Sequence, residues 1–327
     1  MKHYDIINNE LVVSPVGAGA IVVASAPDAE ERRSIKETFQ LDDYDLGSTL
    51  DPDEVPRLEN SKGRLFLIWK VPEPASVSGT VELGISTLGI YLVQDRLMLV
   101  RASGDVGFAD REFRGVRNAS DVMLAILLRT VRHCVGHLRV IRQMSRELEK
   151  KITTSMENRH LVQMFSLNED LVYYQDAIEG NAAVLSKLRG VAGQFGFEAR
   201  QLELLDNIVL ENTQAARQAA IFASVLSGLM DARGTIVNNN MNVLLKNLTL
   251  INIVFLPLNL IASIGGMSEW SMMTEGLDWR LSYTLFSLGM VVIGGVTWLL
   301  MKKLINRGVA RSQVTGGAPP SRRLTGR

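Results

Sequence analysis

Two uncharged stretches near the C-terminal end constrain this chain more than anything else in it. From Leu248 to Met267 there is no Asp, Glu, Lys or Arg, and from Leu281 to Met301 there is none either. Each run has the roughly 20 apolar residues needed to cross a hydrocarbon core of about 30 Å. Backbone donors and acceptors in lipid have to be satisfied within the segment, and no alternating barrel pattern is present, so both runs are predicted to be helices. The loop between them, Ser268 to Arg280, sets Glu269, Glu275 and Asp278 against Arg280. Beyond the second run, Lys302 to Arg327 holds seven Lys and Arg and no acid. A basic flank and a short acidic loop orient the pair with both termini in the cytoplasm. The expectation is a multi-pass protein of the cell (inner) membrane with most of its chain cytoplasmic.

Positions 1 to 267 hold 27 basic and 32 acidic residues. A mildly acidic body suits cations and disfavours nucleic acid. The single cysteine, Cys134, excludes an intramolecular disulfide and fits a reducing compartment. The polar start from Met1 to Glu10 lacks the apolar core of a signal peptide. There is no Walker A motif, no His-Glu-x-x-His, no nucleophile elbow and no paired-cysteine motif. Gly17 and Gly19 lack the third glycine and the helix opening of a dinucleotide fingerprint. The chain is therefore expected not to be an enzyme, and to have no nucleotide or nucleic-acid partner and no resident cofactor.

In order along the chain, residues 1–118 read as an α/β domain. Leu11–Val13 and Ala20–Val23 are short apolar runs, and Asp28 to Phe39 is a charged amphipathic helix. Leu65–Trp69 is a buried strand, and Leu88–Val93 with Leu97–Val100 is a hairpin turning at Gln94-Asp95-Arg96. Asp51, Pro52 and Glu54 have the spacing of a capping box and predict a helix start. Asp42, Asp43 and Asp45 have no such explanation and offer carboxylates to a hard cation. Residues 119–197 read as a pair of long helices. Val122, Ile126, Leu127, Val131, Cys134, Leu138, Ile141 and Leu148 keep a period near 3.6, and a second helix follows from about Arg159 to Arg189. His133 and His137 share a face there; a structural surface pair is the preferred reading over a metal site. A third helix begins near Ala199 and meets no proline before Pro257. Continued to Gly265 it would be on the order of 100 Å long, which suits a stalk packed against neighbouring subunits.

Asn239-Asn240-Met241-Asn242-Val243-Leu244-Leu245-Lys246-Asn247-Leu248-Thr249 leads through Phe255-Leu256-Pro257-Leu258 to Gly266-Met267-Ser268. This resembles the CorA family of divalent-cation channels and transporters. In that family an Asn-x-x-Asn-x-x-Met-Lys-x-Leu-Thr start and a Phe-x-Pro-Leu-Thr segment precede a Gly-Met-Asn signature. Asn239, Asn242, Lys246, Leu248, Thr249, Phe255, Pro257, Leu258, Gly266 and Met267 match without a gap. Ser268 stands in place of the signature asparagine, Gly265 in place of the usual tyrosine and Asn259 in place of threonine. The loop's usual Met-Pro-Glu-Leu is absent. The resemblance implies a CorA-like funnel: an α/β cytosolic domain, a stalk helix (198–267) that becomes the first membrane helix, an external loop (268–280), a second membrane helix (281–301) and a basic tail (302–327). It also implies a homopentamer in the lipid bilayer, with cytosolic acidic residues, here Asp42, Asp43 or Asp45, binding a regulatory ion.

Two spans cannot enclose a pore, so transport requires a closed ring with one span per subunit on the axis. Asn242, Thr249, Asn252, Asn259 and Ser263 are spaced 7, 3, 7 and 4 apart and share a helical face. Leu245, Leu248 and Leu256 fall on or near it as apolar rings suited to gating by dewetting. Gly266, Met267, Ser268 and Glu269 would form the outer mouth. The function expected is divalent-cation transport, of Mg²⁺ or of a transition metal such as Zn²⁺ or Co²⁺, with the ions as transported and regulatory ligands. The alternative is a CorA-like assembly that has lost Mg²⁺ transport and serves as a sensor or partner-binding scaffold.

Overall fold

The computed structural model describes residues 1–15, 19–61, 63–74, 76–77, 81–154, 158–267, 272–273, 275–276 and 278–315. Two compact units result, Met1–Arg233 and Gly234–Arg327. The first is built on a mixed sheet of strands β1 (Lys2–Ile7), β2 (Glu10–Ser14), β3 (Ile21–Ser25), β4 (Arg57–Ser61), β5 (Arg64–Pro72), β8 (Ile85–Val93) and β9 (Arg96–Arg101). A small separate hairpin, β6 (Ser76–Val77) and β7 (Val81–Glu82), interrupts the chain between β5 and β8. The sheet order is β2-β1-β3-β9-β8-β5-β4. Every neighbouring pair is antiparallel except β3 with β9, which is parallel from Ile21↔Leu97 to Ser25↔Arg101. β1 turns into β2 through Asn8 and Asn9, at φ 52° and 64°. Asparagine tolerates that left-handed pair, which matches the twist of a two-residue hairpin.

The sheet's central strands are covered on both faces, and their side chains alternate between two cores. Ile21, Val23, Leu65, Leu67, Trp69, Ile90, Leu97 and Leu99 pack on one side with the long helices. Val22, Ala24, Phe66, Ile68, Tyr91, Met98 and Val100 pack on the other with Ile35, Phe39 and Leu46. The last three belong to helices α1 (Ala29–Phe39) and α2 (Asp43–Leu50). Asp28 and Glu31 form a reciprocal capping box on α1. α2 lies so close to the sheet that a Cβ on Gly89 would fall 2.2 Å from Thr49 Cγ2. Thr49 Oγ1 and the Tyr91 hydroxyl meet at 2.6 Å across that contact.

The capping box expected at Asp51 and Glu54 is absent. Asp51 instead follows the last turn of α2, where its carboxylate accepts from Asp53 N at 2.9 Å. Glu54 pairs with Arg57 at 2.6 Å. Pro56 disfavours helical backbone at the residue before it. The chain goes instead into β4, which pairs with β5 from Arg57↔Ile68 to Ser61↔Arg64.

Helices α3 (Ala119–Thr154), α4 (Asn158–Val191) and α5 (Ala199–Gly265) complete this unit, with α5 continuing into the second one. Asn118 opens α3 by accepting from Asp121 N at 2.9 Å. Asp121, 4 % exposed, accepts from Gln201 Nε2 at 2.7 Å and pairs with Arg200, which ties the start of α3 to the start of α5. Asn181 on α4 holds the sheet: its amide accepts from Lys70 N at 3.0 Å and donates to Lys70 O at 2.9 Å. Lys70 lies two residues beyond Ile68, the last β5 residue paired with β4. The side-chain amide thus takes the place of a missing strand neighbour.

His133 and His137 are not a surface pair. His137 is 6 % exposed and its Nδ1 hydrogen-bonds the Tyr174 hydroxyl, while the more exposed His133 ring stands edge-on to it at 4.5 Å. The apolar α3/α4 seam closes over His137 because α4 sets Leu171, Tyr174 and Ile178 in the same core cluster as Cys134 and Leu138. Burial pushes the His137 pKa down to about 4, with His133 pushing the same way.

Candidate ion pathway

The unit Gly234–Arg327 contains the last part of α5 and a second long helix, α6 (Trp279–Thr315). Each helix has an apolar segment long enough to cross a membrane. The first closes with Gly266 N donating to Ala262 O at 3.1 Å and Met267 N to Ile264 O at 3.2 Å. Asp278 opens α6 by accepting from Arg280 N at 3.1 Å through its carboxylate and from Ser282 N at 3.1 Å through its carbonyl. Ser268 and Glu269, expected at the outer mouth, lie outside the described residues, as does Trp270.

The two helices pack through glycines. A Cβ on Gly265 would lie 2.5 Å from Phe286 Cζ, and one on Gly294 would lie 3.5 Å from Leu258 Cδ1. Val254, Pro257, Leu258 and Ile261 of α5 are partly shielded and Gly265 is buried. At about 100° per residue these five share one face, the one turned to α6. Asn242, Leu245, Thr249, Asn252, Leu256, Asn259 and Ser263 lie on the opposite face, roughly 180° away. All seven are exposed. Leu248, 55 % exposed, stands at the edge of this stripe, whereas Leu256, 71 % exposed, lies near its centre. The 3,4 spacing runs one turn further back to Asn238, which is also exposed. Reading the spacing backwards from Asn242 would have found it.

Thr249 Oγ1 donates to Leu245 O at 2.8 Å, satisfying itself within the helix. The amides of Asn242, Asn252 and Asn259 make no hydrogen bond among the described residues. They do not join the two helices of one subunit. A lengthwise row of unpaired amides on an apolar helix is costly in lipid and is retained where it faces water or another protein surface.

The three acidic candidates of the α/β domain have separate engagements. Asp42 caps α2, accepting from Asp45 N at 2.7 Å, and Asp43 pairs with Lys36 at 2.5 Å. Asp45 is half-buried, and its pKa is raised by burial, then by Asp42 and Glu59, against Arg57. Among the described residues no group of three or more His, Cys, Asp or Glu side chains converges on a point. A cation at Asp45 in this subunit alone would have an incomplete set of oxygens.

An α/β/α domain is followed by one continuous helix and by a second helix, each with an apolar segment of the length and composition of a membrane span, which is the class of an integral membrane protein. Residues 20–303 match the family described as CorA-like Mg2+ transporter protein. The chain belongs to the CorA family of divalent-cation transporters. It is 23 % identical over 252 residues to the cobalt/magnesium transport protein CorA of Methanocaldococcus jannaschii, covering 74 % of this chain and 77 % of that one. The complete structure of the magnesium transporter CorA from the same organism superposes with a TM-score of 0.73 at 20 % identity, over 92 % of this chain and 96 % of that one. The cytoplasmic domain of ZntB from Vibrio parahaemolyticus shares the fold, with a TM-score of 0.59 at 11 % identity over 73 % and 98 % of the two chains.

Proposed function

We propose that this protein assembles as a homopentamer in the cell (inner) membrane and conducts divalent cations along an axis lined by the polar face of α5. The observation that carries the reading is the opposition of faces on one helix. α6 meets one face at Leu258 and Gly265, where Val254, Pro257 and Ile261 are also partly shielded, and the stripe from Asn242 to Ser263 on the other face is exposed. A helix with lipid-compatible and helix-packed faces on one side and amides on the other satisfies those amides by turning them to a shared aqueous path. Leu245, Leu248 and Leu256 alternate with the amides as apolar rings. Gly266, Met267, Ser268 and Glu269 follow at the outer end, with both termini inside.

Selection and driving force follow from the same residues. Mg²⁺ dehydrates reluctantly and keeps several waters, so amide oxygens suit it by accepting hydrogen bonds from those waters. Serine at 268 offers a shorter hydroxyl, so the mouth is expected to discriminate less sharply for Mg²⁺ against Zn²⁺, Co²⁺ or Ni²⁺. An inward divalent ion gains about 4.6 kcal/mol from a potential of 100 mV, twice the value for one elementary charge. No ATP-hydrolysing part is needed. Flux into proteoliposomes holding an encapsulated indicator, for Mg²⁺, Zn²⁺, Co²⁺ and Ni²⁺ with and without a pH step, tests the reading. Silence for every ion would replace transport by a sensing or scaffolding role.

A further inference from the structure

A cavity of about 560 Å³ opens in the cytosolic unit beside β8 and β9. Its floor is apolar, from Val71, Pro72, Leu88 and Val106. Its wall is cationic: Arg101 at the end of β9 faces Arg129 and Arg132 on α3, with His133 next to them. The acids that line it are already engaged. Asp105 pairs with Lys2 at 2.5 Å, Glu112 with Arg132 at 2.7 Å, and Asp110 lies 3.5 Å from Arg129.

Arg101 is left over. Among the described residues it has no carboxylate in ion-pair range; one guanidinium nitrogen donates to Ser86 Oγ at 2.9 Å, and its buried Nε has no partner. Burial pushes the Arg101 pKa down, and Glu73 opposes this by more than Arg129 adds to it. His133 is held down by burial, then by Arg129 and Arg101, against Asp110.

We propose that this cavity binds a phosphate-bearing small molecule, with Arg101 and Arg129 forking the phosphate oxygens and the apolar floor receiving the organic part. Guanidinium groups match phosphate oxygens in pairs, and the match strengthens when both are partly out of water. The volume lies within the range of about 300–1,000 Å³ typical of small-molecule sites. The cradle is made of side chains from β9 and α3, which is why it carries no glycine-rich signature. Arg132 extends the consequence beyond binding. Besides Glu112 it reaches Glu211 of α5 at 3.6 Å, so a phosphate that competes for Arg132 acts on the helix that carries the amide stripe. That regulatory extension rests on the transport reading, whereas binding itself does not.

Calorimetric titration of the full chain in detergent with AMP, with inorganic phosphate and with adenosine separates these readings. AMP binds and adenosine does not. Arg101→Gln weakens AMP by about tenfold or more, and Arg33→Gln, at an exposed site on α1, changes nothing. Should the neutral side chain unsettle β9, Arg101→Lys keeps the charge but loses the fork, and weakened binding there supports the same geometry. Phosphate binding as tightly as AMP identifies the free anion as sufficient, again supporting the site. The proposal is overturned if neither anion binds up to about 10 mM, or if binding is indifferent to both Arg101 variants. Because no ion flux enters these measurements, their failure leaves the transport reading standing, and a silent flux assay leaves the binding result standing.

Discussion

Replacing Asn181 by Leu removes two hydrogen bonds at once from a place where water cannot substitute. The side chain is 1 % exposed and holds both backbone groups of Lys70, at 3.0 and 2.9 Å. Leucine fills a similar volume, so the expected loss comes from polarity rather than from a cavity. Leaving a buried donor or acceptor unmatched costs about 1–3 kcal/mol; two of them make about 2–6 kcal/mol. With a denaturant dependence of about 2 kcal/mol per molar urea, the unfolding midpoint falls by about 1–3 M. Trp69, the neighbour of Lys70 in β5 and fully buried, reports the transition in the full chain once Trp270, Trp279 and Trp298 are replaced by Phe. Asn212→Leu is the internal comparison, because Asn212 gives a single hydrogen bond, to Ile178 O at 3.0 Å. Its shift should be about half as large. A midpoint for Asn181→Leu within about 0.3 M of the parent would refute the reasoning and mean that Lys70's amide finds another partner.

Four other outcomes are expected. Leu248→Asn or Leu245→Asn raises resting conductance in planar bilayers, since a polar ring wets the constriction; unchanged conductance takes these residues off the axis. Glu269→Gln lowers flux of every divalent ion, most steeply at low ionic strength where screening is weak, and Ser268→Asn shifts preference toward Mg²⁺. Asp42, Asp43 and Asp45 changed together to Asn leave transport active at high internal ion, while Asn at position 42 still caps α2; inhibition that persists rules the three out. For His137, the folded pKa of about 4 lies below the ordinary 6.5, so the unfolded chain takes up the proton first. The stability it confers is complete above pH 6.5 and is lost as pH falls toward 4, by about 3 kcal/mol in all. Urea midpoints measured across that window should slope for the parent and flatten for His137→Gln.

The helical two-thirds of the chain was legible because periodicity and length decide it. The helices begin at Ala119, Asn158 and Ala199, within a residue of where the apolar spacing puts them. The α/β part was legible only in its buried strands. β5, β8 and β9 are apolar on both faces, whereas β1 reads Lys-His-Tyr-Asp-Ile-Ile and has no clean alternation. Asn8-Asn9 was the signal that could have announced the hairpin. Asp51 and Glu54 misled because a capping box is a local pattern, and Pro56 with the β4–β5 register outweighs it. The polar stripe was read from spacing alone, but its opposition to the α6-packed face needed Gly265 and Phe286 in place. Arg101, Ser86 and Arg129 stand on three different elements, so no spacing could have brought them together.

The one parallel pairing in the sheet sets a clock on synthesis. β3 cannot settle until β9 exists, and the partners Ser25 and Arg101 are separated by 76 positions. At ~5–20 residues per second a ribosome needs roughly 4–15 s to cover that distance. During the wait the three-stranded β2-β1-β3 edge of the sheet is unfilled at β3, with Val22 and Val23 uncovered, and Val13 is 72 % exposed even in the finished fold. An unpaired strand edge of that kind is where chains associate wrongly. Slower elongation between codons 25 and 101 should therefore lower the yield of soluble precursor, and a holdase acting on the first 25 residues should restore it.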